Sequence, residues 1–394
     1  MTLTNNQQNA QKDRIHIAHL QLLPLLTGVQ KVSLEELKRL DRDLFEPFII
    51  CKEAGPLSEA AERENIRCFF VPDLVREISP NHDFLAFRAL LKLFKDNAFD
   101  IVHTHSSKTG ILGRIAGRLA RVPLVMHTVH GYSFPAADSA LKKWLYLSVE
   151  WLGARSCDAM VFLQNADLEL ALRCLSFSKE RALLVPNGID TALYRPCEQT
   201  YCDEVRQKRL GIDYGSVTIG MVGRLWLQKN PHCFLAAAEQ VLKVYPDTHF
   251  CLLGDGELKP SLEAFVKKRA MEDNVHFLGW CTDVEKILPC FDIFVLTSLW
   301  EGMPLAILEA MSCGLPCVVS DIPGNRDLVT EGKDGLLFAE NDSAALAKGL
   351  CELIKDPELR AKQGDEARTK VLQEYDIRRR VEIMAQTYRD LLCR

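Results

Sequence analysis

A chain of 394 residues exceeds one comfortable hydrophobic core and calls for two domains. With 47% hydrophobic and 26% charged residues and a formal charge of −5, it has the make-up of an ordinary globular enzyme and lacks the basic excess of a nucleic-acid binder, so no nucleic-acid partner is expected. The opening MTLTNNQQNAQKD is polar without an apolar signal core, and no later stretch reaches the roughly 18 uninterrupted apolar residues that span a bilayer, so a cytoplasmic protein with a disordered tail over residues 1–13 is expected.

Strand-like runs then alternate with amphipathic helical stretches, the pattern of a parallel sheet covered on both faces. The first series is IHIAHL, PFIIC, IRCFFV, DIVHTH, LVMHTV, AMVFL and ALLVP, with helical FLAFRALLKLFK and ALKKWLYLSVEWLGAR between them. It makes one doubly wound domain over residues 14–192. Gly28, between LLPLLT and VQKVSLEELKRL, marks a helix N-terminus suited to phosphate or acceptor oxygens, with an ordinary strand-to-helix turn as the competing reading. In FLAFRALLKLFK, Arg88, Lys92 and Lys95 share one helical face, which suits an anionic membrane surface or a merely solvated stripe. SSKTG after His105 offers a polar acceptor wall or a simple helix cap.

His103, His105, His127 and His130 fall at adjacent strand ends and raise the question of zinc. No HExxH and no aligned cysteine set accompanies them, so no metal is expected, and three of the four read as packed, hydrogen-bonded histidines. His130 differs, because Gly131 after it lets the chain turn sharply and expose the imidazole. The 14 cysteines are scattered, mostly in apolar runs such as FIICKE and HFCLLG, and read as reduced, buried thiols.

A polar, Pro-containing stretch, residues 193–214, reads as a linker. A second series follows over residues 215–375: SVTIGMVG, HFCLLG, NVHFLG, IFVLTS, PCVVSD and DGLLFA. The last helix, residues 376–394, can return to either half. Two such domains facing one another would turn the carboxyl ends of both strand sets into a ligand cleft. At one of these ends GRLWLQKNP places Gly223, Arg224 and Lys229 in a loop, a fork and a point charge fit for phosphate. At another, WEGMPLAILEAM has Gly302 for a tight turn and Pro304 at the first position of a helix to Cys313. That helix N-terminus favours an anion. Glu309, one turn in, and Glu301, in the loop, would repel phosphate but accept hydrogen bonds from ribose and sugar hydroxyls. The set suits a nucleoside diphosphate carrying a sugar. Neither GMVG nor GDGE has GxGxxG spacing, which argues against a dinucleotide-dependent oxidoreductase.

With LTGVQK, DIVHTH, VHGYSF, VPNGID, GRLWLQKN, GDGE and EGMPLAILEAM in this order, the chain resembles the retaining glycosyltransferases of family 4, which have the α/β GT-B fold of two facing Rossmann-like domains. Glu301 and Glu309 match that family's E-x7-E pattern. The resemblance implies sugar transfer from a nucleotide-sugar donor to a hydroxyl of a glycan or lipid-linked acceptor, with retention and with neither metal nor other cofactor. It assigns Arg224 and Lys229 to the diphosphate, Glu309 to the ribose, Glu301 to the sugar, and the amides near Met303 and Leu305 to phosphate or sugar oxygens. The residue matching His130 lies under the donor sugar. Uridine diphosphate is expected on family frequency. The chain departs from the family at Thr27 and Gly28, where two adjacent glycines are common. The competing functional reading is a non-catalytic sugar-nucleotide sensor of the same fold. Such a sensor should have lost charged site residues, whereas this chain keeps Arg224, Lys229, Glu301, Glu309 and His130 together.

Overall fold

The computed structural model describes residues 14–132, 134, 139–213 and 215–394, so the expected tail at 1–13 lies outside the described residues. The chain divides into two compact units, one of Met1–Asn187 with Ile377–Arg394 and one of Gly188–Asp376.

The first unit holds a parallel sheet of β1 (Ile15–Leu20), β2 (Phe45–Cys51), β3 (Arg67–Phe70), β4 (Ile101–His105), β5 (Leu124–Val129), β6 (Ala159–Phe162) and β7 (Ala182–Leu184). Their order is β3-β2-β1-β4-β5-β6-β7. Because successive strand residues point to opposite faces, each strand feeds two cores. Ile17, Ile101, Leu124, Met126 and Val161 pack on one side with Leu34, Leu37, Val381, Met384 and Tyr388. Ala18, Val102, Val125, Met160 and Phe162 pack on the other with Ala86, Leu90, Phe94 and Ala116. The helix Ile377–Leu392 therefore covers the first sheet beside the helix Gly28–Arg39. The strand order reverses between β1 and β4, the place where open α/β sheets bind ligands.

The second unit repeats the design with β8 (Thr218–Val222), β9 (His249–Leu253), β10 (Val275–Gly279), β11 (Ile293–Leu296), β12 (Cys317–Ser320) and β13 (Gly335–Phe338), all parallel. The order is β10-β9-β8-β11-β12-β13, reversing between β8 and β11. Ile219, Phe250, Leu252, Phe294, Leu296 and Val318 are buried, as in sheets covered on both faces.

Three expectations need correction. The stretch 193–214 is no free linker: it forms the helix Gln199–Val205 and the turn Arg206–Leu210 inside the second unit, because Cys202, Val205 and Leu210 bury. Arg206 anchors it, its Nε donating to the Cys290 carbonyl at 2.6 Å and its Nη2 reaching Asp292 at 2.9 Å. Not every cysteine is a reduced thiol, since that helix brings Cys202 to Cys197 as a disulfide, and Cys393 is exposed. Finally, Pro304 is the N-cap of a helix spanning Leu305–Ser312 rather than its first residue, because its ψ of 119° is extended. Among the described residues no helix is long and apolar enough to cross a membrane.

Candidate active site

In the second unit the loops after the two switch-point strands are tied together. Gly223 follows β8 with φ 156°, and a Cβ there would lie 3.3 Å from Lys229 Cε, so glycine lets the lysine stem lie against the turn. Lys229 ends the short 3-10 turn Leu227–Lys229, whose closing residue Asn230 has φ 47°. Its Nζ meets Glu301 Oε1 at 2.5 Å, and Ser298 Oγ donates to the same oxygen at 2.6 Å. Gln228 Nε2 donates to the Trp300 carbonyl at 2.7 Å, and Thr297 Oγ1 donates to the Lys229 carbonyl at 2.8 Å. Gly302 closes the turn against the short helix Pro323–Arg326, where a Cβ on Gly324 would stand 2.2 Å from the Gly302 carbonyl.

Met303 is buried beside the N-cap Pro304, whose own side chain offers no cap to the first turn from Leu305, and Glu309 is buried one turn further on. Tyr194 hydrogen-bonds Glu309; burial, and then the Glu309 charge, push its phenol well above the usual range, so the tyrosine keeps its proton and donates. Arg224 is exposed, pairs with Glu257 of GDGE at 3.3 Å and lies over the Trp226 ring. The fold thus joins Gly223, Lys229 and Glu301 directly, while Arg224 and Glu309 hold other partners in the same unit. Ser298, Gln228, Glu257 and Tyr194 escaped sequence reading, although Gln228 and Glu257 sit inside GRLWLQKN and GDGE, two of the motifs singled out beforehand.

In the first unit a cavity of about 230 Å³ is lined by residues including Val29, Ser106, His127, His130, Gly131 and Tyr132. Gly28 is exposed at the first position of the helix Gly28–Arg39, and Gly131 makes the turn after β5 with φ 103°. Ser133 of VHGYSF lies outside the described residues. The two-residue period sends His19, His103 and His105 to the face covered by the C-terminal helix. His127 turns to the other face, where its ring meets Gly110 so closely that a Cβ would stand 2.5 Å away. His19, His103 and His105 have nitrogens within 4.8 Å of one another, and all six ring nitrogens meet protein partners among Ser33, Thr128, His130, Tyr388 and each other.

Burial holds these imidazoles neutral: His130 is pushed down to about 3, His19 to about 4, and His103, His105 and His127 well below 6.5. At His19 the Glu36 charge opposes burial in part. An unfolded histidine titrates near 6.5, so unfolding takes up protons below that pH. The stabilising contribution is complete above about pH 6.5 and is lost as pH falls towards the folded values, at about 1.4 kcal/mol per pH unit for each group. The thermal midpoint of the first unit is expected to be level above pH 7 and to fall steeply between 6.5 and 4. Calorimetry showing a level midpoint down to pH 5 would refute this.

Comparison with known proteins agrees with this geometry. Residues 26–193 match the family described as Glycosyltransferase Family 4, and residues 203–370 match Glycosyl transferases group 1. The chain is 41% identical over 382 residues, 96% of its length and 98% of the relative's, to the UDP-Gal:alpha-D-GlcNAc-diphosphoundecaprenol alpha-1,3-galactosyltransferase of Escherichia coli. It is 26% identical to the N,N'-diacetylbacillosaminyl-diphospho-undecaprenol alpha-1,3-N-acetylgalactosaminyltransferase of Campylobacter jejuni, over 77% of this chain and 79% of that one. The fold matches Anabaena HepE, crystallised with UDP and glucose, at a TM-score of 0.84 and 21% identity, covering 96% of this chain and all of that one. The two sheets, the loops at their switch points and these matches agree: the chain belongs to the family 4 glycosyltransferases of GT-B fold and is an enzyme of sugar transfer.

Proposed function

We propose that the protein is a retaining, metal-independent glycosyltransferase that moves a hexose from a UDP-hexose, UDP-galactose first, to a sugar carried on a polyprenyl diphosphate. The observation that carries this is the Lys229–Glu301 pair beside the helix start at Leu305, which offers the diphosphate a cation and the sugar hydroxyls a carboxylate within one loop cluster. The E. coli relative, whose name specifies UDP-Gal and a diphosphoundecaprenol acceptor, supports the choice of substrates. In the route we favour, the bond from the anomeric carbon to the β-phosphate oxygen breaks, the acceptor oxygen bonds to that carbon on the same face, and the acceptor proton passes to the departing phosphate. Lys229, Arg224 and the helix dipole stabilise the charge that grows on UDP. No cofactor enters these steps. The test is incubation with UDP-sugars and a polyprenyl diphosphate-linked acceptor in excess EDTA, with the linkage read by NMR. Transfer with retained configuration is expected; activity abolished by EDTA and restored by metal, or an inverted linkage, refutes the corresponding half.

Such an acceptor sits in a bilayer, and we place the contact on the layer formed by the helices Pro80–Asn97, Ser107–Ala120 and Ala140–Arg155 of the first unit. Leu141 and Trp144 are 75% and 64% exposed there, with Leu145, Leu152, Phe84 and Leu85 also exposed. Lys143, Arg88 and Lys95 are exposed among them, a pairing of apolar and cationic groups that fits an anionic bilayer. Lys92, expected to share this role, is bonded to Asp96. Salt-sensitive co-sedimentation with phosphatidylglycerol liposomes is expected, reduced by Leu141→Ser with Trp144→Ser while UDP affinity holds. Wild-type protein that stays in the supernatant at low salt contradicts the placement.

A further inference from the structure

In the first unit a hydrogen-bonded chain leads from the C-terminal helix to His130, and its polarity can be read from its buried end. Arg380 Nε meets Glu36 Oε2 at 3.1 Å, both side chains being almost wholly buried, so Glu36 is a carboxylate that only accepts. Tyr388 Oη donates to Glu36 Oε1 at 2.6 Å, and its lone pairs are therefore left to accept from His103 Nδ1 at 2.7 Å. With Nδ1 protonated, His103 Nε2 takes the Thr128 hydroxyl at 2.7 Å. His19 Nε2 lies 3.4 Å from the Tyr388 oxygen and 3.8 Å from Glu36 Oε1, facing acceptors on both sides, and carries its proton there. Its Nδ1 is then the acceptor, and its single lone pair is shared between the Ser33 hydroxyl at 2.8 Å and a longer contact from His105 Nε2–H at 3.2 Å, where a second lone pair on His105 would be repelled. His105 Nδ1 in turn accepts from His130 Nε2 at 3.1 Å.

We propose that His105 is a positioning residue that holds His130 as its Nε2–H form, so that His130 offers the Nδ1 lone pair to a hydroxyl of the bound sugar. This rests on the reading of His130 as the residue beneath the donor sugar, and on its place in the cavity wall. A neutral imidazole has one donor and one acceptor nitrogen, and which is which is set by the partner of the other. Here the partner's orientation traces back through His19 to Glu36, three links away. His130 is thereby an acceptor of a hydrogen bond, and not an acid, at the atom it presents. The Arg380–Glu36 pair sets that polarity, with Glu36 two turns along the helix that also carries the cavity-lining Val29, and Arg380 on the C-terminal helix.

The test uses the full chain labelled with 15N at histidine. Two-dimensional spectra of the wild type are expected to show the Nε2–H pattern for His19, His105 and His130, assigned by single substitutions; an Nδ1–H pattern at His130 overturns the proposal. For activity, His105→Asn keeps an acceptor oxygen close to the position of Nδ1, whereas His105→Leu removes it. His105→Leu is expected to lower kcat about 10- to 100-fold, by analogy with the loss when the outer partner of a metal-binding imidazole is removed, with the donor KM little changed. His105→Asn should remain close to wild type in kcat. Equal loss in both variants would make His105 a packing residue and sink the idea. If His130→Ala keeps normal turnover, the reading of His130 itself fails, and the spectra still decide separately whether the chain fixes its tautomer.

Discussion

Replacing Lys229 by alanine is expected to lower turnover about 10²- to 10³-fold, the usual loss when one group that stabilises transition-state charge is removed. The effect should be large for two reasons that act together. The ammonium is tied into both switch-point loops, and its loss takes from Glu301, with a side chain only 9% exposed, the cation 2.5 Å from its Oε1, beside the helix start where we place the diphosphate. The Ser298 hydroxyl stays on Glu301 and keeps it in place, so the loop should persist while its charge becomes one unit more negative. Lys229→Arg tests whether charge alone suffices, because the guanidinium is bulkier than a stem that already runs 3.3 Å from the position of a Cβ on Gly223. The measurements are kcat at saturating donor and the dissociation constant of UDP by calorimetry. Turnover within a few-fold of wild type in Lys229→Ala would remove the lysine from the charge-stabilising role.

Glu36→Ala should destabilise the first unit by about 3–5 kcal/mol, the cost of removing one partner of a buried ion pair. Arg380 is 3% exposed, and the Val185 and Pro186 carbonyls that its Nη1 meets at 2.9 and 2.7 Å are dipoles that cannot neutralise it. Tyr388 also loses the acceptor of its proton. Removing both charges is a different experiment, since a buried pair replaced by apolar groups of similar size is often neutral in stability. Glu36→Ala combined with Arg380→Met should therefore recover much of the loss. Urea unfolding of the three proteins decides it, and a single variant that loses less than about 1 kcal/mol contradicts the pair's assigned weight.

The strands were legible because in sheets buried on both faces they are near-continuous apolar runs, as in PFIIC, AMVFL and IFVLTS, with IHIAHL, LVMHTV and DIVHTH differing by the histidines and threonines they bury. The loop residues were legible for a related reason: a glycine or charged residue just after such a run lies at a carboxyl edge whatever the details of packing. What stayed hidden depends on contacts remote in sequence. Tyr388 meets His19 across 369 positions, and nothing in the period of the last helix says which sheet it covers. The stretch 193–214 misled because its polar composition outweighed Cys202, Val205 and Leu210, too few to show a period yet enough to bury one face. The histidines showed their spacing but not their tautomers, which follow from a carboxylate on another element.

The return of the helix Ile377–Leu392 to the first sheet also has a bearing on synthesis. Val381, Met384 and Tyr388 belong to the same core cluster as Ile17 and Ile101, so one face of the first sheet lacks part of its cover until residues 377–392, which follow the whole second unit, have been made. The second unit, Gly188–Asp376, is continuous in sequence and has all of its parts earlier. The usual order, in which the earlier domain is finished first during translation, is therefore reversed between these two units: the one begun first is completed after the other, and meanwhile its part-covered apolar face is the surface on which a nascent chain invites chaperones.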